Sequence, residues 1–162
     1  MEKELMKRLH NYISENYPDL LLELQERCNV TEYLVDKIGI SEAFQKQMEL
    51  IGPVFIIEEE CMDIIISEFK PSKYNYINNI LEEEFENEYL LLKGSGILKF
   101  ETINMINYCE TLFEEFDFND ENESNRFLRY RITGCISEYF ESNKVGMKNA
   151  RNELQQPSKI TG

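Results

Sequence analysis

Residue types that carry chemistry are sparse in this chain, and their spacing does not favour catalysis. His10 is the only histidine. One imidazole cannot make a two-histidine metal site, and the Glu-x-x-His pair of di-iron helical proteins is absent. His10 also lies beside the apolar face of the first expected helix, where a lone histidine is ordinarily exposed or simply hydrogen-bonded. Cys28, Cys61, Cys109 and Cys135 stand far apart, with no Cys-x-x-Cys pair. That pattern reads as small buried thiols in a reducing compartment rather than a zinc site. The Gly94-Ser95-Gly96 stretch lacks both the G-x-x-x-x-G-K-[ST] spacing of a phosphate loop and the preceding strand of a dinucleotide fold, so it reads as a turn. The run from Asp117 to Ser124 looks like a calcium loop. Counted from Asp117, however, the sixth and twelfth positions are Asn122 and Leu128, where an EF-hand needs glycine and an acid. It leaves at most a loose surface cation site. An acidic loop ahead of a helix N-terminus is its ordinary role, because the helix dipole favours carboxylates there. Nucleophile elbows and kinase signatures are missing. Pairs of carboxylates can always be found among 31 acidic residues, and without a cleft none is selected. The expectation is a protein that is not an enzyme and holds no cofactor or metal.

Charge is the second signal. The formal net charge is −14, which keeps the chain soluble and opposes contact with nucleic acid or anionic lipid. The distribution is uneven. Residues 1–124 carry 10 basic and 28 acidic side chains, and residues 125–162 carry 7 and 3. Arg126, Arg129, Arg131, Lys144, Lys148 and Arg151 therefore form the candidate contact set for nucleic acid, despite the acidic body. The N-terminal MEKELMKRLH has no apolar segment of a signal peptide, and no apolar run approaches the ~20 residues that span a bilayer. A cytoplasmic location is expected, with no membrane partner.

The elements that must position these groups read as helices. Leu5, Leu9, Tyr12 and Ile13 make one face of a helix over residues 2–15, which Pro18 ends. A short helix is expected over 19–28 and a longer one from about residue 29 to 50. A break is held open at Gly39-Ile40-Ser41, with Ser41 capping the second piece and Gly52 closing it in a left-handed conformation. Val54, Ile57, Cys61, Ile64 and Ile65 define a helix over 54–68. Pro71 turns the chain away from helical angles at Lys70, and Ser72 caps the next helix. That helix carries Tyr74, Ile77, Leu81, Phe85 and Tyr89 every three or four residues, with an acidic opposite face. Two more follow. One, over 97–116, carries Met105, Cys109, Leu112 and Phe116, with Phe100, Ile103 and Ile106 beside them. The other, over 123–142, turns Leu128, Ile132, Cys135, Ile136 and Tyr139 inward, with Phe127 and Phe140 alongside. The pattern predicts an all-α fold: a compact bundle of about five to six helices around a central hairpin formed by the helices on either side of Pro71. Residues 1–143 are expected to form one domain, and residues 144–162 a flexible or weakly helical tail.

Several short landmarks recur in an order that resembles a known family. Ser72-Lys73-Tyr74 opens a helix that leads to Glu82-Glu83-Glu84-Phe85. Phe116-Asp117 enters a polar acidic loop. Tyr130, Thr133-Gly134 and Glu138-Tyr139 then follow in the closing helix. Together they resemble a family of small acidic all-helical proteins of unknown function from Bacteroides-group bacteria, often encoded on mobile elements. The resemblance covers roughly residues 11–143. Such relatives usually carry an acidic residue before the Thr-Gly pair, where this chain has Arg131-Ile132. It implies a compact helical domain and transfers no catalytic residue.

Two functions lead, ahead of a third in which the acidic body mimics DNA and occupies the site of a basic protein. One is a non-catalytic accessory module that binds an unknown protein partner through a groove or face of the bundle. The other is association with nucleic acid, as an accessory protein of a mobile element, through the basic C-terminal helix and tail.

Overall fold

The computed structural model describes residues 1–48 and 52–143, and every regular element among them is an α-helix. There are ten such helices, more finely divided than the five to six expected. The chain separates into two compact units, Met1–Lys70 and the segment that begins at Pro71.

The first unit contains α1 (Glu2–Asn16), α2 (Pro18–Glu26), α3 (Val30–Gly39), α4 (Glu42–Met48) and α5 (Val54–Ser67). Leu5, Leu9 and Ile13 of α1 bury against Leu34 and Ile38 of α3 and Ile57, Cys61, Met62 and Ile65 of α5. The break expected near Gly39–Ser41 is present. Ser41 is fully buried there, and its hydroxyl donates back to the Ile38 carbonyl (2.9 Å). Among the described residues the glycine with positive φ is Gly96 rather than Gly52, and Cys28 and Asp117 adopt that conformation without being glycine. Val54 is exposed rather than part of the buried stripe.

The second unit contains α6 (Lys73–Glu84), α7 (Glu86–Gly94), α8 (Leu98–Tyr108), α9 (Glu110–Glu115) and α10 (Arg126–Ser142). Ser72 caps α6 as expected, its hydroxyl accepting the Asn75 N–H at 3.0 Å. Ile77, Ile80 and Leu81 of α6 meet Met105 and Ile106 of α8, Phe113 of α9, and Leu128, Ile132 and Ile136 of α10. The helix expected from 73 to 92 breaks at Phe85 (φ −132°, ψ 48°), and the one expected from 97 to 116 breaks at Cys109. Both are apolar residues on the apolar stripe, so the periodicity runs straight through them. Phe100 and Phe127, placed beside the core by their spacing, are exposed. The two arms of the expected central hairpin bury their apolar faces in different cores, α5 in the first and α6 in the second.

The two units follow one plan. Tyr17 joins α1 to α2 in the same backbone conformation (φ −135°, ψ 54°) in which Phe85 joins α6 to α7. Left-handed Cys28 ends α2, and left-handed Gly96 ends α7. Each is followed by the same hydrogen bond, Asn29 N–H to Leu24 O (3.0 Å) and Ile97 N–H to Leu92 O (3.1 Å), the mark of a Schellman cap. Ser41 lies between α3 and α4 as Cys109 lies between α8 and α9. The pairs Tyr17/Phe85, Cys28/Gly96 and Ser41/Cys109 share one offset of 68 residues. Core positions pair at that offset too: Leu9 with Ile77, Ile13 with Leu81, Leu34 with Thr102, Ile38 with Ile106, every one buried. The last helices match at an offset of 71, Ile57, Cys61 and Ile65 corresponding to Leu128, Ile132 and Ile136. The packing repeats as well. In the first unit α1 packs on α2, α3 and α5, α3 on α2 and α5, and α4 on α5. In the second, α6 packs on α7, α8 and α10, α8 on α7 and α10, and α9 on α10.

Candidate functional site

The basic residues singled out from the sequence fall on α10 and beyond it. Asn125 starts α10 by accepting the backbone N–H groups of Phe127 (2.8 Å) and Leu128 (3.2 Å). The helix begins three residues later than its spacing suggests because asparagines tie up the preceding loop. Asn122 Oδ1 accepts the Asn119 N–H, and Asn119 Oδ1 accepts the Glu121 N–H. Among the described residues, no group of three His, Cys, Asp or Glu side chains is placed to hold a metal ion. The arginines are not brought together. Arg129 binds Glu83 at 2.6 Å and approaches Glu84 at 3.6 Å, both at the end of α6. Arg131 lies 3.6 Å from Glu115 and 5.9 Å from the Phe127 ring centroid. Arg126 is exposed. Lys144, Lys148 and Arg151 lie outside the described residues. Two of the three helical guanidiniums are therefore engaged by carboxylates of their own unit, half-exposed pairs worth at most ~1 kcal/mol each.

Sequence spacing missed what lies beside them. The inward stripe of α10 is complete with Leu128, Ile132, Ile136 and Tyr139. Tyr130 and Gly134 fall off it. Tyr130 is 75% exposed. With Tyr108, Leu112, Arg131, Cys135 and Glu138 they line an open groove of about 730 Å3 between α10 and the α8–α9 joint. Phe85 also lines it, its ring 5.4 Å from that of Phe140. Beyond Tyr130, Phe127 stands exposed with its ring 5.7 Å from that of Phe116. The available signal was aromatic residues and a mid-helix glycine on a face already supplied with its core residues.

Gly134 is not required by the backbone or by packing. Its φ is ordinary, and a Cβ there would meet no atom within 4 Å. A glycine inside a helix costs ~1 kcal/mol against alanine, so its packing environment gives no reason for it. What it does is leave the wall of the groove low.

Two titrating groups border the groove. Tyr139 donates its hydroxyl to Glu101, and its ring is 5.5 Å from that of Tyr108. Burial and then the Glu101 carboxylate push the Tyr139 hydroxyl well above its ordinary value. Burial, reinforced by the neighbouring Cys135 thiol, likewise pushes up the Cys109 thiol. Both groups are neutral at physiological pH, and both are buried behind the groove rather than part of its lining.

Among the described residues no helix is long and apolar enough to cross a membrane. Comparison with known families, curated proteins and solved structures found no match to this chain.

Proposed function

We propose that the chain is a non-catalytic cytoplasmic accessory module that docks a protein partner in the groove between α10 and the α8–α9 joint. One observation carries this reading. The first unit builds the same five-helix arrangement with none of the groove residues. At the positions of Tyr108, Tyr130, Arg131 and Gly134 it has Ile40, Glu59, Glu60 and Asp63. The fold does not need them, and Gly134 works against it. Residues that the fold neither requires nor favours are ordinarily kept for binding. The partner's chemistry follows from the lining. Tyr108, Leu112 and Tyr130 favour an aromatic or aliphatic anchor. With Arg131 held near Glu115, Glu138 on a chain of net charge −14 favours a basic flank. The resemblance to the mobile-element family belongs to this proposal as its biological setting.

The alternative is association with nucleic acid through Arg126, Arg129, Arg131, Lys144, Lys148 and Arg151. It requires Arg129 and Arg131 to exchange their present carboxylates for phosphates.

The test is a pull-down from the native host with nuclease added, run with wild type and with Gly134→Trp, which fills the groove at a position with room for it. The expected outcome is a defined protein that survives nuclease and is lost, at least tenfold, with Gly134→Trp. Retention by both baits overturns the groove. Loss on nuclease treatment moves the function to the basic set.

A further inference from the structure

Cys109 and Cys135 are neighbours in space although far apart in sequence. Cys109 forms the joint between α8 and α9 and is 1% exposed. Cys135 projects from the middle of α10, partly exposed, into the wall of the groove. Its sulfur lies 4.0 Å from the carbonyl oxygen of Tyr108, the residue just before Cys109. The Cys135 thiol is also close enough to the buried Cys109 thiol to help push it above its ordinary value. The two cysteines thus meet at the α8–α9 joint, Cys135 reaching the carbonyl that precedes Cys109. Both are free.

The sister unit supplies the comparison. Ser41 holds the position of Cys109, and Ile64 holds that of Cys135. Cys61, its one buried cysteine, lies beside the Ser41 hydroxyl and no second thiol. The same joint between the third, fourth and last helices is therefore built without a thiol pair, so the pair in the second unit is not a packing necessity.

We propose that Cys109 and Cys135 are a peroxide-oxidisable dithiol whose disulfide fixes the wall of the docking groove; the effect on docking rests on the function proposed above, whereas the disulfide itself does not. Cys135 is the accessible partner and reacts first. Its sulfur attacks a hydroperoxide, the O–O bond breaks, and sulfenic acid forms with release of water or an alcohol. Cys109, kept as a neutral thiol by burial, escapes direct oxidation and serves as the resolving group. Its sulfur attacks Cys135, the S–O bond breaks, and the departing hydroxyl takes the Cys109 proton as water. In total, two thiols lose two electrons and two protons, and the peroxide is reduced. The product ties α10 to the α8–α9 joint and draws the Cys135 sulfur toward Cys109. A groove wall held in one arrangement loses less freedom on docking, so the oxidised chain binds its partner more tightly.

The experiment uses the full chain with Cys28→Gly, which removes the exposed cysteine at a left-handed position that suits glycine. The native protein is treated with hydrogen peroxide, blocked with a thiol alkylator, and digested without reduction. The expected product is a peptide pair linked through Cys109 and Cys135, two hydrogens lighter than the reduced pair. Closing this loop should raise Tm by roughly 5 °C or more, reversibly with dithiothreitol. Cys135→Ala should abolish both changes, and Cys61→Ala should leave both. Alkylation of both thiols after peroxide, or sulfinic acid at Cys135 with Cys109 still free, overturns the dithiol. A partner captured through the groove should bind the oxidised chain about threefold or more tightly. Equal affinity with the disulfide formed overturns the regulatory half alone, and capture that Gly134→Trp leaves intact overturns the docking reading instead.

Discussion

The first and second units differ least where they are buried and most where they face solvent. Leu9 and Ile77, Ile38 and Ile106, and Cys61 and Ile132 occupy matching buried core positions, and only the second pair is identical. The outer face of the last helix shares nothing. In the first unit it presents Glu59, Glu60 and Asp63; in the second, Tyr130, Arg131 and Gly134. The plan fixes which positions must be apolar, and it leaves the exposed face of α5 or α10 free to diverge. One chain therefore contains its own control for separating scaffold from site.

The largest expected effect breaks the correspondence if it fails. Leu9→Ala and Ile77→Ala each remove a fully buried side chain at the same place in the plan, and each should cost about 2–5 kcal/mol. Urea unfolding gives the totals. Hydrogen exchange should place the loss in α1–α5 for the first and α6–α10 for the second. Protection falling equally in both halves for either variant would mean that the units do not stand as separate cooperative bodies.

Alkali should separate the units next. Burial pushes up Tyr76 and Tyr139 in the second unit and Tyr33 in the first. A raised folded value means that the unfolded tyrosine ionises first. The contribution is complete below pH ~10 and is lost as pH climbs past it, at up to ~1.4 kcal/mol per pH unit for each tyrosine. The second unit, with two such groups, should lose more. Tyr76→Phe removes a buried hydroxyl that has no hydrogen-bond partner among the described residues. It should flatten the alkaline limb of the second unit and leave that of the first unchanged.

The left-handed caps offer a smaller, reciprocal test. Cys28 and Gly96 occupy the same conformation, which disfavours any side chain. Cys28→Gly should stabilise by about 1 kcal/mol, and Gly96→Ala should destabilise by about as much. Thermal melts that move in the same direction for both would sink the equivalence of the two caps. Smallest is Gly134→Ala, expected to stabilise by about 0.5–1 kcal/mol because the helix gains and nothing clashes. No gain would remove the case for Gly134 as a residue kept for binding.

Much of the helical fold was legible in the residues. The stripes of α1, α5, α6 and α10 place Leu9, Ile65, Ile77 and Ile132 correctly, and Ser72 marks a true cap. The breaks at Phe85 and Cys109 were not legible, because an apolar residue at a helix joint looks like the next member of the stripe. Tyr17 was hidden differently: Pro18 marked an end, but Pro18 is the first residue of α2. The repeat escaped notice because it preserves burial and spacing without preserving residue type, as Leu34 and Thr102 show. The site was half legible. Tyr130 and Gly134 could be seen to fall off a complete apolar stripe. Only tertiary structure shows that Glu83 and Glu115 approach the arginines, and that Tyr108 faces α10 across a groove.

The junction at Pro71 bears on how the chain is made. Each apolar face finds its partners within its own stretch of about seventy residues. At typical ribosomal rates of 5–20 residues per second, the first stretch emerges some ~4–14 s before the second is finished. Within each stretch α1 must wait for α5, and α6 for α10, so one set of sticky surfaces is exposed at a time. A nascent chain that closes its first body before offering the next has fewer ways to aggregate on the ribosome.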